Sequence, residues 1–237
     1  MPKKLQVEIP QLKLTFKVNN LKLTEKQKLF LALALQEETN IMFVSGPAGS
    51  TKTYMAVYAA LRHLSANDDL DMFYVRTIIE SGDKGLGALP GSVEEKINPY
   101  MAPLQDKLIE MLPPEKSAKS ELMESGRIQA MPINYLRGAS WKDKIVVADE
   151  AQNFTFKELT TLITRLGKNS KLFICGDFMQ SDIGSRTGYS DMFKLFNDPE
   201  SKEKGIHCFG FTKEDILRSE LQKYIIGRLE KSSKKKV

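Results

Sequence analysis

Ile41-Met-Phe-Val-Ser-Gly-Pro-Ala-Gly-Ser-Thr-Lys-Thr53 begins as an apolar run and breaks into a glycine-bearing loop that ends in Lys52-Thr53. A buried strand that turns directly into a helix start is the setting of a phosphate-binding loop, G-x-x-x-x-G-K-[ST]. In that pattern backbone N–H groups of the loop and the helix N-terminus cradle phosphates, the lysine reaches the outer phosphates and the hydroxyl ligates Mg²⁺. Gly46, Lys52 and Thr53 fit, and Thr51 stands where the second glycine belongs. If that position needs a positive φ, a β-branched residue strains it by about 1–2 kcal/mol, which would weaken phosphate binding. Gly49 keeps flexibility inside the loop.

Working outward, Leu5 to Val18 alternates apolar and polar residues around Pro10 and predicts a short hairpin or edge strand. Thr24-Glu-Lys-Gln27 is a capping-box pattern ahead of a leucine-rich helix to about Gln36. A helix over Lys52–Ser65 should follow the loop, then a strand at Met72–Arg76 and a glycine-rich bend at Glu80–Gly91. Next come a helix at Ser92–Met111 with Pro99 and Pro103 as breaks, and strands at Arg127–Pro132 and Lys144–Ala148. Thr155 and Glu158 predict a second capping box. Leu159, Leu162, Ile163 and Leu166 form an apolar stripe, with Gly167 as its stop. Strands at Leu172–Cys175 and Ile206–Phe209 and a helix over Glu214–Leu229 complete the chain. This alternation implies an α/β fold with a mostly parallel sheet between helices and a ligand at the carboxyl ends of its strands. The expected division is an N-terminal β extension over 1–20, a single domain over 21–230 and a basic, disordered tail over 231–237.

The chain has 237 residues, 41% of them hydrophobic, enough for a sizeable core. No apolar run approaches the roughly 20 residues of a membrane span, so no membrane partner and a cytoplasmic location are expected. Cys175 and Cys208 each lie in a strand-like apolar run, as buried free thiols do. The net charge is +5, of which Lys231, Lys234, Lys235 and Lys236 supply +4. Such a tail either adds salt-sensitive affinity for a phosphate backbone or is a solvated end.

Chemistry concentrates in a second stretch, Ile145-Val-Val-Ala-Asp149-Glu150. An aspartate ending a buried strand can hold Mg²⁺ opposite Thr53, and an adjacent glutamate can polarise a water that attacks the γ-phosphorus. Alternatively, the two carboxylates cap the helix that follows. Gly176-Asp-Phe-Met-Gln180 follows the next strand, so Gln180 can sense a terminal phosphate there, or the segment can be a turn only. Arg76, Arg137, Arg165 and Arg218 are candidate phosphate-facing arginines, with surface ion pairs as the alternative. Tyr135, Arg137 and Trp141 interleave aromatic and basic character as base-stacking surfaces do, but so do core aromatics beside a strand. Lys84, in the glycine-rich bend, could meet a phosphate backbone.

Gly46-Pro-Ala-Gly-Ser-Thr-Lys-Thr53, Gly87-Ala-Leu-Pro-Gly91, Asp149-Glu-Ala-Gln-Asn153, Leu162-Ile-Thr-Arg-Leu-Gly167, Gly176-Asp-Phe-Met-Gln180 and Asp215-Ile-Leu-Arg218 resemble the ordered motifs of PhoH-like ATPases over roughly Leu23 to Leu229. The resemblance implies a RecA-like P-loop NTPase core, related to superfamily 1 helicases, that binds and hydrolyses ATP with Mg²⁺. Helicase activity on single-stranded RNA or DNA is commonly inferred for that family. It further implies nucleotide contacts from Gly46, Pro47, Ala48, Gly49, Ser50, Thr51, Lys52, Thr53 and Tyr54, and an adenine contact from Gln27, which is equally the reach-back partner of Thr24. Thr53 and Asp149 would serve the metal. Lys52, Glu150 and Gln180 would serve catalysis, with Arg165 or Arg218 as a finger. Because one core has no second half to close over the nucleotide, a neighbouring copy in a homo-oligomer such as a ring is expected to supply that finger. The alternative is a nucleotide-binding assembly or signalling module with little or no hydrolysis, on account of Thr51.

Overall fold

The computed structural model describes residues 16–77, 93–114, 116–133, 141–217, 221, 224, 225 and 228. Its centre is a six-stranded sheet of β1 (Ile41–Ser45), β2 (Asp71–Arg76), β3 (Ile128–Pro132), β4 (Lys144–Ala148), β5 (Lys171–Gly176) and β6 (Ile206–Gly210). The strands run in the order β3-β2-β4-β5-β1-β6, and every pairing is parallel. Parallel strands need crossovers: α2 (Lys52–Ala66) joins β1 to β2, α3 (Val93–Met111) and α4 (Lys116–Glu124) join β2 to β3, α5 (Phe156–Ile163) joins β4 to β5, and α6 (Tyr189–Leu195) and α7 (Pro199–Glu203) join β5 to β6, while α1 (Glu25–Ala34) precedes β1.

Two apolar layers follow from the two-residue period of the strands. Met42 and Val44 of β1, Tyr74 of β2, Val147 of β4 and Cys175 of β5 face a core completed by Phe30 of α1, most of α2, and Leu104 and Leu108 of α3. Ile41, Phe43, Val75, Val146, Ala148 and Ile174 face the opposite core, completed by Leu159 and Leu162 of α5 and Tyr189 and Met192 of α6. With both faces covered, residues 41–44 of β1 and 145–148 of β4 are unbroken apolar runs, as the sequence predicts. Both capping boxes form, at Thr24 with Gln27 and at Thr155 with Glu158.

Several expectations change. Pro99 and Pro103 do not break α3, which runs unbroken from Val93 to Met111. A proline removes one helical N–H. The burial of Leu104, Leu108 and Met111 along one face of α3 opposes that loss. Gly167 does not cap α5, whose C-cap is Thr164. Its hydrogen is required by close approach, since a Cβ there would lie 2.3 Å from the Trp141 carbonyl oxygen. That Trp141 is itself 1% exposed and belongs to the core rather than to a stacking surface. Cys175 is buried as expected, whereas Cys208 is half-buried, its Sγ donating to the Phe193 carbonyl at 3.3 Å. At the expected closing helix, Lys213–Asp215 form a single 3-10 turn, and helix is present at Leu221, Tyr224, Ile225 and Arg228. Most of the Leu5–Val18 alternation, Glu80–Gly91 with Lys84, Tyr135, Arg137, Arg218 and the 231–237 tail lie outside the described residues.

Candidate functional site

All six strands point the same way, so their carboxyl ends share one edge. The loop Gly46–Thr51 leaves β1 there, Arg76 ends β2, Asp149-Glu150 follow β4 and Asp177 follows β5. The sheet order sets β5 directly between the phosphate-loop strand and the Asp149 strand.

The loop is tightly folded. Ser50 N–H donates to the Pro47 carbonyl at 3.1 Å. A Cβ on Gly46 would meet Ser50 Oγ at 2.5 Å and Phe211 Cβ at 2.9 Å, so only glycine fits. Gly49 has φ 80° and Thr51 has φ 65°, ψ 11°. Thr51 therefore occupies the left-handed conformation that the motif reserves for glycine. It is the N-cap of the fifteen-residue α2 and gives no side-chain cap bond. Its hydroxyl instead accepts from Gln27 Nε2 at 2.9 Å. The first-turn N–H groups of α2, which helix geometry leaves without intrahelical partners, form the anion-binding end of the helix. Lys52 reaches back over the loop, donating to the Pro47 carbonyl at 3.3 Å.

Opposite the loop, Asp149 is buried and accepts at both oxygens. Thr53 Oγ1 donates to Oδ1 at 2.5 Å, and the Tyr74 hydroxyl donates to Oδ2. Burial first, then the Asp149 charge, push the Tyr74 hydroxyl pKa far above its usual range, so it remains a protonated donor. Arg76 faces the carboxylates, with Nε 3.8 Å from Asp149 Oδ2 and a guanidinium nitrogen 3.7 Å from Glu150 Oε1. Glu150 is partly exposed and left-handed at φ 55°. That turn lifts its carboxylate out of the strand direction.

Gln152, buried just after the carboxylate pair, links the two strand ends. Its Nε2 donates to Glu150 Oε2 at 2.5 Å and its Oε1 accepts from Asp177 N–H at 3.0 Å. Asn153 and Asp182 pair reciprocally at 2.9 and 2.8 Å. Asp177 shapes its own turn by accepting from Met179 N–H at 2.9 Å. Gln180 rides on this loop, exposed, at the same sheet edge.

A cleft of about 400 Å³ opens beside the loop, bounded by Ser45, Gly46, Pro47, Asp177, Phe178 and Met179, and by Phe211, Thr212 and Lys213 beyond β6. A second cavity, about 290 Å³ and lined in part by Leu35, His63, Ile145 and Lys171, lies at the amino edge of the sheet. Lys171 Nζ there donates to the carbonyls of Gln36, Glu37 and Thr39, and His63 pairs with the Ala34 carbonyl. Its basic groups are thus engaged in structure.

Gln27, Gly46 through Thr53, Asp149, Glu150 and Gln180 thus share the carboxyl edge. Tyr54 turns away. Burial and the nearby Glu110 of α3 push its hydroxyl up to about 12. Arg165 lies elsewhere, its carbonyl accepting from Trp141 N–H at 3.1 Å in the segment that leads towards the amino end of β5. Sequence reasoning missed Tyr74 and Gln152 as parts of the site and gave Arg76 too little weight. The signal for Arg76 was its position at the carboxyl end of a strand, the same cue that identified Asp149.

The donor set suits a hard divalent cation. A threonine hydroxyl and one carboxylate face each other, and Mg²⁺ is commonly held by one or two carboxylates together with phosphate oxygens. Among the described residues no cluster of three or more His, Cys, Asp or Glu could hold an ion without such help. No helix among the described residues is long and apolar enough to cross a membrane.

The chain is similar to a PhoH-like protein of Mycobacterium tuberculosis, 36% identical over 192 residues, 80% of this chain and 53% of the relative. A PhoH-like protein of Synechocystis is 34% identical over 211 residues, 88% of this chain and 62% of the relative. Protein PhoH of Escherichia coli K12 is 34% identical over 187 residues, 78% and 51% of the two chains. The chain therefore spans between half and two thirds of the length of these relatives. Among solved structures it is similar to Bacteroides Pif1 in complex with ADP-AlF4, at 15% identity and a TM-score of 0.38, covering 86% of this chain and 44% of that one. The family described as PhoH-like protein matches residues 21–230, and with the all-parallel sheet and its phosphate loop after β1 this chain belongs to that family.

Proposed function

We propose that this chain binds ATP with Mg²⁺ and hydrolyses it. The observation that carries the reading is the meeting of Thr53 and Asp149, 2.5 Å apart and contributed by different elements, at the mouth of a phosphate loop. Lys52 swings from the Pro47 carbonyl to the outer phosphates, and the first turn of α2 donates N–H groups to phosphate oxygens. Thr53 and Asp149 would hold the cation; when bound, Mg²⁺ neutralises charge on the β- and γ-phosphate oxygens. Glu150 takes the proton of the attacking water, and Gln152 holds its carboxylate in place. Gln180, exposed in the loop after β5, would bond the terminal phosphate through its amide and lose that bond after hydrolysis. Arg76 offers positive charge beside the carboxylate pair. Arg165 or Arg218 would act as a finger across a homo-oligomeric junction. Single-stranded RNA or DNA is the proposed macromolecular substrate.

The test is phosphate release with and without single-stranded RNA or DNA, against Lys52→Ala. Turnover that needs Mg²⁺ and falls at least a hundredfold in the variant supports the enzyme. Turnover equal in both overturns it, and turnover indifferent to nucleic acid removes the nucleic-acid substrate alone. A second reading, a nucleotide-binding assembly module, is favoured by the left-handed Thr51. Calorimetry that detects ATP binding, coupled to assembly and without phosphate release, would select it.

A further inference from the structure

The residue that departs from the loop motif has a dedicated partner. Thr51 sits at φ 65°, ψ 11°, where a β-branched side chain is disfavoured and glycine is at ease. Its hydroxyl accepts from Gln27 Nε2 at 2.9 Å. Gln27 is 3% exposed, and its Oε1 meanwhile accepts from Thr24 N–H at 2.9 Å. Both heavy atoms of the amide are therefore engaged, one end on the start of α1 and the other on the phosphate loop. Burial strengthens this chain of bonds and fixes the amide orientation. The Thr51 hydroxyl makes no cap bond to α2, so the link leaves the helix N–H groups to an incoming anion.

We propose that Gln27 is a positioning residue for the phosphate loop and does not read the base: its bond to Thr51 holds the left-handed turn that glycine adopts unaided. The proposal rests on the phosphate-site reading and assigns Gln27 to the triphosphate half of the ligand. A base reader would present its amide to an open pocket, whereas the Gln27 side chain is buried, with one end of its amide bonded to Thr24 and the other to Thr51.

The test is a substitution series at position 51, which leaves the capping box intact, read as affinity for ATP, GTP and inorganic tripolyphosphate. Thr51→Ser keeps the hydroxyl and retains wild-type affinity within about twofold. Thr51→Ala weakens all three ligands about tenfold, the effect of losing one hydrogen bond that holds a strained turn. Thr51→Gly restores binding. Strain alone predicts the reverse order for alanine, which is easier than threonine in this conformation, so alanine at or above wild type overturns the proposal. Gln27→Ala weakens the three ligands by a common factor and has little effect in the Thr51→Gly background. Loss confined to ATP, with GTP and tripolyphosphate spared, makes Gln27 a base reader and overturns it too. If the wild-type chain binds none of the three, the phosphate-site reading falls, and thermal denaturation without ligand decides the link. Wild type and Thr51→Ser melting above Thr51→Ala supports it, and Thr51→Ala melting level with or above them overturns it.

Discussion

At the scale of single residues, Asp149 is the most constrained group in the site. It is buried, holds Thr53 on one oxygen and Tyr74 on the other, and has Arg76 nearby. Outer partners of metal-binding carboxylates fix their orientation, and removing one lowers metal affinity by about 10–100-fold. Tyr74→Phe keeps the ring in the core and deletes only the donor. It should raise the Mg²⁺ concentration for half-maximal turnover about tenfold, while tripolyphosphate affinity measured without metal stays put. An unchanged Mg²⁺ requirement would assign Tyr74 to packing alone. Lys52, Thr53 and Asp149 were legible in the sequence because each belongs to a local pattern. Tyr74 was not, because it reads as one more apolar residue of a buried strand. Only the β2–β4 register, with Tyr74 beside Val147 and Val75 beside Ala148, brings its hydroxyl to Asp149. Gln152 was hidden for the same reason, since its bond to Asp177 depends on β5 lying next to β4.

At the scale of elements, the two capping boxes and the apolar runs of β1 and β4 were legible because their signals lie within a few residues of one another. The unbroken α3 was not, because proline's local penalty is opposed by burial against distant strands. Nor were α4, α6 and α7, which at nine, seven and five residues are too short for an apolar period to separate a helix from a connecting segment. The packing of α1 on α2 has a consequence that solution measurements can check. His63 of α2 is buried with Nε2 3.0 Å from the Ala34 carbonyl of α1, an oxygen that only accepts, so the neutral ring carries its proton on Nε2. Burial lowers its pKa from 6.5 to about 4, partly opposed by that bond. Between those values the unfolded chain binds a proton that the folded chain refuses. Stability from this group is therefore complete above about 6.5 and is lost as pH falls towards about 4, at most about 3 kcal/mol. Urea denaturation at pH 7 and pH 4.5 should show a larger loss for wild type than for His63→Gln. Equal losses would place the acid sensitivity elsewhere.

At the scale of the whole molecule, the sheet separates two edges. The phosphate loop, Asp149 and Gln180 occupy the carboxyl edge, while Arg165 lies in the segment leading to the amino end of β5. A strand of this length spans roughly 17–20 Å, well beyond the reach of an arginine side chain. Arg165 therefore cannot serve the nucleotide of its own chain in this arrangement. If it acts as a finger, it acts on a neighbouring copy, in a head-to-tail contact that joins the amino edge of one subunit to the carboxyl edge of the next. Such a contact is heterologous, and it closes into a ring if the rotation between subunits permits. Subunit mixing checks the arrangement. Lys52→Ala and Arg165→Ala should each abolish turnover alone. An equal mixture, allowed to exchange subunits, should recover about a quarter of wild-type activity, because one junction in four joins an intact loop to an intact neighbouring arginine. Light scattering should find the same assembly in both variants. A mixture no more active than its two components, with assembly intact, would exclude Arg165 as a finger supplied by a neighbour.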